Sequence, residues 1–444
     1  MIPARAQAWA GSRVAAAFTP PALPQVSRAA FRFHMAYALL DATAAGILSN
    51  APLMAVKAMG ASDAQLQLPL VIASLGLFAS VITGSAMSKR QKKPFVVFPG
   101  IASAVSALIM AWTRSAGWFL AILGVISMFD FAIRPAMPSI LRIVYPDHCR
   151  AHVAGTLRQY SSIVFLVSTL FFASLLASDP GHIHEMIHLQ LTLAGLASLA
   201  AFVCFRQLPD LGDGSEVEAR LGLGPVPTAS GSVWRFRFDA ASLAPFRDRR
   251  FRWYLAIFFL FSSGNFIYSG IVPAYFARDL GLGYFQATLL IHIVPAVTGF
   301  LAGGRLTAWF DRTSVWRSYA LVALMWGLDP VLLALGGSIW AVVAMARVIR
   351  GPSTVGSMVL AYYTGVHSFA DAGPDTSRYM AAFVVVNGLA RFIFPSVAAL
   401  AAGHFSHRMM LLAGGAAVLA AAGLFLASDM RWPNPAARKG STNA

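Results

Sequence analysis

Twelve long apolar stretches occupy most of the chain, and their length limits what it can fold into. They run roughly over 33–56, 66–87, 95–113, 117–141, 156–177, 187–205, 253–276, 284–303, 317–336, 338–362, 379–402 and 409–428. A helix needs about 20 residues to cross the hydrocarbon core of a bilayer. Because backbone polar groups there must be satisfied within the segment, such stretches predict α-helices. We therefore expect an all-α polytopic membrane protein with twelve transmembrane helices.

The charge distribution predicts how these helices are oriented. The net charge is +16, although only 12% of the residues are charged. With both termini in the cytoplasm, 26 of the 34 Lys and Arg residues lie on the inner side and four on the outer side. This bias follows the positive-inside rule. The basicity therefore sets the orientation and does not indicate a nucleic-acid partner. We expect a multi-pass protein of the plasma (bacterial inner) membrane, with the lipid bilayer as its partner.

The second half of the chain repeats the first at an offset of about 220 residues. The matches include Phe31-Arg32-Phe33 with Phe251-Arg252-Trp253, and Pro52, Lys57, Gly60 and Gln65 with Pro273, Arg278, Gly281 and Gln286. Deeper in each half, Ile133-Arg134-Pro135 corresponds to Ile349-Arg350-Gly351. A parallel repeat of membrane helices predicts two pseudo-symmetric bundles around one pathway, an architecture that many transporters share.

One long polar interruption divides the two repeats. We predict a cytoplasmic N-terminal tail over 1–30, a six-helix bundle over 31–205, a cytoplasmic linker over 206–252, a second six-helix bundle over 253–428 and a cytoplasmic C-terminal tail over 429–444.

Two cytoplasmic loops carry matching patterns of glycine and basic residues. After the second stretch, Gly84 precedes Ser88 and the basic run that starts at Lys89-Arg90; after the eighth, Gly304 precedes Asp311-Arg312. With the six-plus-six topology, these loops resemble those of the major facilitator superfamily over roughly residues 30–430. The resemblance implies transport by alternating access, with gating loops at Gly84, Lys89, Arg90, Gly304, Asp311 and Arg312. Ser88 stands where the family has an aspartate, which weakens the expected latch of the first half.

Seven ionisable residues lie well inside the apolar stretches. They are Asp41, Asp130, Arg134, His292, Arg347, Arg350 and Arg391. Such residues are costly to insert into a membrane and are functional candidates for that reason. For His292, a hydrogen bond between helices is the simpler interpretation.

The acidic members of this set predict proton coupling. Asp130 and Arg134 are four residues apart and share one face of the fourth helix, so they can form a structural ion pair or a coupling site. Asp41 on the first helix adds a second carboxylate. An aspartate on helix 1 with an arginine on helix 4 is similar to the coupling pair of proton-linked sugar transporters of the superfamily. We assign Asp41, Asp130 and Arg134 to proton coupling.

The basic members predict an anionic substrate. Four arginines against two aspartates leave a surplus of +2 within the membrane. Guanidinium groups match carboxylates and phosphates in bidentate geometry, so we assign Arg134, Arg347, Arg350 and Arg391 to substrate binding. Neutral polar residues complete the predicted site, although each also suits an interhelical hydrogen bond; they are Asn50, Asn265, Tyr268 and Asn387. Asp329 on the ninth helix is assigned to the scaffold, because the resemblance makes that helix peripheral.

These residues together predict a secondary active transporter that couples protons to the movement of a small organic anion. The alternatives are an exporter of drug-like or siderophore-like compounds and a non-transporting sensor or scaffold of the same fold. No P-loop is present, which excludes an ATPase. His184-Glu185-Met186-Ile187-His188 matches a zinc-peptidase motif, but the short loop before it leaves no room for a cleft. We expect no enzyme activity, no cofactor and a monomer.

Overall fold

The computed structural model describes residues 25–86, 92–134, 136–145, 147–208, 245–360, 365–369 and 375–432. Throughout these ranges the regular elements are helices. The predicted gating residues Lys89 and Arg90, both tails beyond 25–432 and most of the predicted linker lie outside the described residues.

The described residues form twelve long helices, ten of which are long and apolar enough to cross a membrane, and this agrees with the predicted twelve-helix fold. They are α1 (Gln25–Ser49 and Ala51–Met59), α2 (Leu68–Ala86), α3 (Pro94–Ala111), α4 (Ala116–Ile133, followed by Ala136–Val144), α5 (Asp147–Ser178), α6 (Ile183–Arg206), α7 (Arg249–Ser269, Val272–Ala274 and Tyr275–Asp279), α8 (Tyr284–Thr288, Leu289–Ile293 and Val294–Phe310), α9 (Val315–Gly336), α10 (Trp340–Val359), α11 (Asp375–Ala401) and α12 (His407–Arg431). We call the side where α1 begins and α12 ends the terminal face, and the other side the opposite face.

The outer helices extend beyond the predicted domain bounds. α1 is already helical at Gln25, before the predicted bound of 31, and α12 ends at Arg431 instead of 428. α7 begins at Arg249 because the Asp248 side chain accepts hydrogen bonds from the backbone N–H groups of Arg250 and Phe251. An N-cap of this kind satisfies donors that a helix start leaves unpaired, so it fixes where the helix begins.

The fourth apolar stretch, predicted as one helix, is divided in two. Its first segment ends at Ile133 and the next begins at Ala136. The sequence places Pro135 between them, and proline lacks the N–H that a continuing helix needs.

The internal repeat reappears in the backbone. α1 is interrupted before the segment that contains Pro52, and α7 before the segment that contains Pro273. Each of these helices is followed by a glycine in the left-handed region, Gly60 at φ 65° and Gly281 at φ 63°. Glycine adopts this conformation without the steric cost that a Cβ would bring. Matching residues therefore make matching turns in the two halves.

The turns also share a cap. Gln65 Oε1 accepts the backbone N–H of Ser62 at 2.9 Å, and Gln286 Oε1 accepts that of Gly283 at 3.2 Å. In both halves the glutamine thus ties the turn to the start of the next helix.

At the opposite face the two halves exchange reciprocal hydrogen bonds. Lys57 Nζ of the first half donates to the carbonyl of Leu282 at 2.7 Å. Arg278 of the second half donates to the carbonyl of Ala61. Lys57 and Arg278 occupy equivalent positions in the repeat, and so do Ala61 and Leu282. The contact therefore has the two-fold pseudo-symmetry of the whole molecule.

An ionic cluster without this symmetry lies beside the reciprocal bonds. Arg278 also donates to Asp63 Oδ1 at 2.7 Å, and His407 Nε2 lies 2.9 Å from Asp63 Oδ2. The other ring nitrogen of His407 contacts Asp279 Oδ2. We call Asp63, Arg278, Asp279 and His407 the interhalf lock, because Asp63 belongs to the first half and the other three to the second.

Buried polar contacts continue the seam between the halves below the lock. The Asn50 side chain accepts a hydrogen bond from Thr288 at 2.7 Å and donates to the Thr169 carbonyl at 3.1 Å. His292 of α8 hydrogen-bonds with the backbone of Ser49 in α1. The bonds of Asn50 to Thr288 and of His292 to Ser49 thus link α1 to α8 across the boundary between the halves.

Within the second half, α7 and α12 cross at two facing glycines. A Cβ on Gly414 would lie 2.7 Å from the carbonyl oxygen of Gly264 and 2.8 Å from Tyr268 Cδ1. A Cβ on Gly264 would lie 2.4 Å from the Gly414 carbonyl oxygen. Small residues allow membrane helices to approach this closely. This crossing positions Tyr268.

We predict that Gly414→Ala lowers the melting temperature of the purified protein by several degrees, because overpacking against backbone costs about 1–3 kcal/mol. The matched control is Gly423→Ala on the same helix, where nothing lies within 4 Å of the added Cβ. Thermal unfolding in detergent measures both. Equal melting temperatures for the two variants would show that the glycine crossing does not limit stability.

Candidate functional site

The first group of candidate residues lies in the second half, on α7, α9 and α10. Its centre is Asp329 of α9, which is fully buried. Asp329 Oδ1 accepts a hydrogen bond from Arg347 of α10, whose side chain is 4% exposed. Asp329 Oδ2 lies 3.7 Å from Nη1 of Arg350. One carboxylate is thus shared by two guanidinium groups.

This arrangement corrects two expectations. Asp329 is a partner of the candidate arginines and not a remote part of the scaffold, because α9 packs directly against α10. With its carboxylate included, four membrane-embedded arginines face three aspartates, so the surplus is +1 and not +2. Arg347 is enclosed with Asp329, and in this conformation its guanidinium holds the site together instead of facing a substrate.

Arg350 has a more open environment. Its side chain is 18% exposed. The guanidinium carbon lies 3.7 Å from the centroid of the Trp326 ring, and Nη1 donates to the Tyr268 hydroxyl. An arginine over an aromatic face is held electrostatically and kept in one orientation. Arg350 is therefore a fixed cation that remains accessible.

Asn265 supports the ring under Arg350. Its Oδ1 accepts hydrogen bonds from Trp326 Nε1 at 2.8 Å and from the Ser269 hydroxyl at 3.0 Å. The structure thus brings Asn265 and Tyr268 to Arg350, as predicted. Trp326 was not predicted as a site residue. Its position three residues before Asp329 on α9 is the sequence feature that could have identified it.

The second group lies in the first half, on α1, α3 and α4. Asp41 is partly exposed and lies within electrostatic range of Asp130. Both carboxylates also lie within electrostatic range of the buried Tyr37 hydroxyl. Asp130 is exposed, accepts a hydrogen bond from Ser103 and lies in the field of Arg134. The structure therefore brings together the three residues predicted for proton coupling.

Arg134 and Arg391 meet at one aromatic ring. The guanidinium carbon of Arg134 lies 4.1 Å from the centroid of Phe131, and that of Arg391 lies 4.6 Å from the same centroid. Arg134 belongs to the first half and Arg391 to the second, so Phe131 joins a cation from each. The buried side chain of Phe131 packs against α2 and against Val384 of α11. Arg391 is therefore close to the proton-coupling group and belongs to the boundary between the halves.

The remaining polar candidates have structural contacts. Asn387 Oδ1 lies 3.5 Å from the Ser262 hydroxyl, a weak contact between α11 and α7. Asn50 is fully buried, and its side-chain oxygen and nitrogen are both engaged in the seam between the halves. In this conformation Asn50 is an interhelical contact and not a substrate ligand, which was the alternative interpretation.

Four of the predicted gating residues are described, and they lie toward the terminal face. Gly84 lies near the end of α2, Gly304 is in α8, and Asp311 and Arg312 follow α8 with exposed side chains. The ion pair described in this region is formed instead by Arg317 Nε and Asp429 Oδ2, at 2.5 Å. It joins the start of α9 to the end of α12.

The zinc-peptidase pattern does not form a metal centre. His188 packs edge-on against Trp112, with ring centroids 4.3 Å apart. His182 contacts Asp179 at 2.9 Å. Among the described residues, no group of three or more His, Cys, Asp or Glu side chains is placed to hold a metal ion.

Comparisons with known proteins agree with this architecture. The family model of the Major Facilitator Superfamily matches residues 33–395. The crystal structure of the nucleoside transporter NupG is similar, with 15% identity, a TM-score of 0.62 and coverage of 91% of this chain and 99% of that one. No curated protein sequence matches the chain.

Two further solved structures are also similar. A POT family transporter in complex with a thioalcohol-conjugated peptide has 12% identity, a TM-score of 0.65 and coverage of 91% and 96% of the two chains. The peptide transporter POT in complex with sulfate has 14% identity, a TM-score of 0.65 and coverage of 92% and 95%. At these identities the likeness concerns the fold. Its match to the family model and its twelve-helix architecture show that the chain belongs to the Major Facilitator Superfamily and is a multi-pass membrane transporter, not an enzyme.

Proposed function

We propose that the protein is a secondary active transporter that works by alternating access and couples proton movement to the transport of a small organic anion. The observation that carries the proposal is the pairing of two guanidinium groups with one buried carboxylate, in which Arg350 remains accessible. A surplus positive charge in a membrane interior is unfavourable until an anion offsets it.

The geometry around Arg350 suits one end of an anionic solute. Tyr268 and Trp326 fix the guanidinium, and Asp329 holds only one of its edges, at 3.7 Å. Arginine offers five donors in a planar fork, so a carboxylate or phosphate can still bind through the donors that these contacts leave. Aromatic side chains beside the cation favour an organic solute over a hydrated inorganic ion.

Proton coupling is supported by the carboxylates of the first half. Asp41 and Asp130 lie within range of each other's charge, and Arg134 lies on the other side of Asp130. Two like charges in a confined region repel, and binding one proton relieves that repulsion. Because the Asp130 side chain is exposed about midway along α4, this carboxylate is positioned to exchange protons during transport.

Alternating access is supported by the same contrast. The halves are joined at the opposite face by the reciprocal bonds and the interhalf lock, whereas Asp130 and Arg134, near the middle of α4, have exposed side chains. The structural neighbours are named as transporters of nucleosides and peptides, which are polar solutes. The charged site around Arg350 also favours a polar solute.

We predict that Arg350→Gln lowers kcat/KM for uptake of an organic anion by about 10–100-fold, the value of one charge-assisted contact. Uptake into proteoliposomes measures it. Arg350→Lys keeps the charge but loses the fork, so it should recover uptake only in part. Anion uptake that Arg350→Gln leaves unchanged would contradict an anionic substrate at this site.

We predict a different defect for the neighbouring arginine. Arg347→Gln leaves the buried Asp329 carboxylate without its closest partner, which costs about 3–5 kcal/mol. The melting temperature should therefore fall for Arg347→Gln and stay near that of the native protein for Arg350→Gln. Thermal unfolding of both variants separates a structural arginine from a binding one. A lower melting temperature for Arg350→Gln than for Arg347→Gln would exchange the two roles.

We predict that Asp41→Asn combined with Asp130→Asn abolishes uptake driven by a pH gradient but preserves exchange of substrate across the membrane. Proteoliposomes with and without an imposed gradient measure both activities. Asp179→Asn, which removes an exposed loop carboxylate, is the control and should behave like the native protein. Gradient-driven uptake that survives the double substitution excludes these carboxylates as proton carriers.

A further inference from the structure

The interhalf lock contains a histidine whose two ring nitrogens each face a carboxylate. Nε2 of His407 lies 2.9 Å from Asp63 Oδ2, and Nδ1 contacts Asp279 Oδ2. A neutral imidazole has one N–H and one lone pair, so it can donate to only one of these carboxylates. Only the imidazolium form donates from both nitrogens. The observed geometry is therefore that of a protonated His407.

The charges around His407 support the same state. Asp63 faces it from the connection between α1 and α2, Asp279 and Arg278 from the end of α7, and Arg408 lies next to it on α12. Arg408 hydrogen-bonds with the Tyr275 hydroxyl, and Arg278 is the guanidinium that pairs with the Asp63 carboxylate of the lock. Two carboxylates and one guanidinium carry a net charge of −1, which a proton on His407 neutralises.

Asp63 does not titrate in the range where histidine does. The hydrogen bond from His407, and then Arg278, hold the pKa of the Asp63 carboxyl below its usual range. A lowered carboxyl pKa means that the ionised contacts are present above that range and are lost only when the pH falls through the lowered value. Between about pH 5 and 8 the group that changes charge is therefore the imidazole.

The lock lies beside two contacts that involve no imidazole or carboxylate. The reciprocal bonds of Lys57 and Arg278 with backbone carbonyls follow the two-fold repeat and join the halves. Asp63 departs from the repeat, because its equivalent in the second half is Tyr284, over which Lys57 lies at 5.5 Å. The chain has thus added one link that contains a histidine, Asp63 to His407, to a symmetric pair of bonds.

We propose that a proton on His407 operates the opposite-face gate: the protonated form holds the two halves closed there, and loss of the proton allows them to separate. The inference rests on the alternating-access part of the proposed function. It is independent of the Asp41 and Asp130 carboxylates, which lie within α1 and α4. By the charge distribution the opposite face is the outer one, so this histidine senses the external pH.

The test measures the separation of the halves at the opposite face directly. The two native cysteines are first removed by Cys149→Ser and Cys204→Ser, so that they are not labelled. Spin labels are then attached to Ser115→Cys and Ser338→Cys, which are exposed positions in different halves. Double electron–electron resonance in lipid nanodiscs then measures the distance between the two labels and so reports the closed and open populations at pH 5.5 and 8.5. We expect the closed-to-open ratio of the native protein to fall by about tenfold at the higher pH, the value of one charge-assisted hydrogen bond.

Variants identify the group that responds to pH. His407→Gln cannot carry the proton, so it should lose the pH response and be more open at both values. His407→Lys keeps a charge over this range, so it should stay closed at both. A native protein whose distances do not change with pH, or a response that survives in His407→Gln, overturns the proposal.

The same measurement in a variant without the Asp41 and Asp130 carboxylates separates this inference from the proposed proton coupling. In a protein with Asp41→Asn and Asp130→Asn, the pH response of the spin-label distance should persist, because His407 is intact. If the response disappears there, it originates in the cavity carboxylates and the gate proposal fails. If it persists while gradient-driven uptake is also unaffected, the gate stands and the assignment of the proton carriers fails.

Discussion

The shared carboxylate of Asp329 is the interaction on which the candidate site depends. It is fully buried and accepts a hydrogen bond from Arg347, which neutralises one of the two guanidinium groups on α10. The second, Arg350, is then the group whose charge is left over, and it is held over Trp326 by aromatic and hydroxyl contacts. Without Asp329, two like charges one helical turn apart would repel. With it, α9 and α10 carry one structural and one accessible cation.

The internal repeat explains the architecture, and the charged positions at which the two halves differ account for the proposed chemistry. The proline interruptions, left-handed glycines and glutamine caps match closely in the two halves. Arg134 and Arg350 also match in sequence, yet Arg134 is exposed just beyond the end of a helix segment, whereas Arg350 is packed on Trp326. The two halves thus keep one scaffold and differ at charged positions, which agrees with a first half that handles protons and a second half that binds substrate.

Much of this fold follows from local properties of the sequence. Hydropathy predicts most of the helices, and the intramembrane charges on α1, α4 and α10 single out Asp41, Asp130 and Arg350. Pairing across long sequence distances could not be predicted in the same way. Asp63 and His407 are 344 residues apart, and Arg391 meets Phe131 only because α11 packs against α2 beside α4. Asp329 was misassigned because the position of its helix was inferred from the family resemblance and not from its nearest charged neighbour.

The central claim is that the surplus positive charge at Arg350 selects an anion. Thermal stabilisation of the purified protein by matched pairs of ligands, each an organic carboxylate and its neutral amide, tests it most directly. A ligand at about 100 times its dissociation constant stabilises the folded state by about 2.7 kcal/mol, which a melting curve resolves. We predict saturable stabilisation by at least one carboxylate, none by its amide, and loss of the effect in Arg350→Gln. Equal stabilisation by the amide, or full stabilisation of Arg350→Gln, would contradict the account.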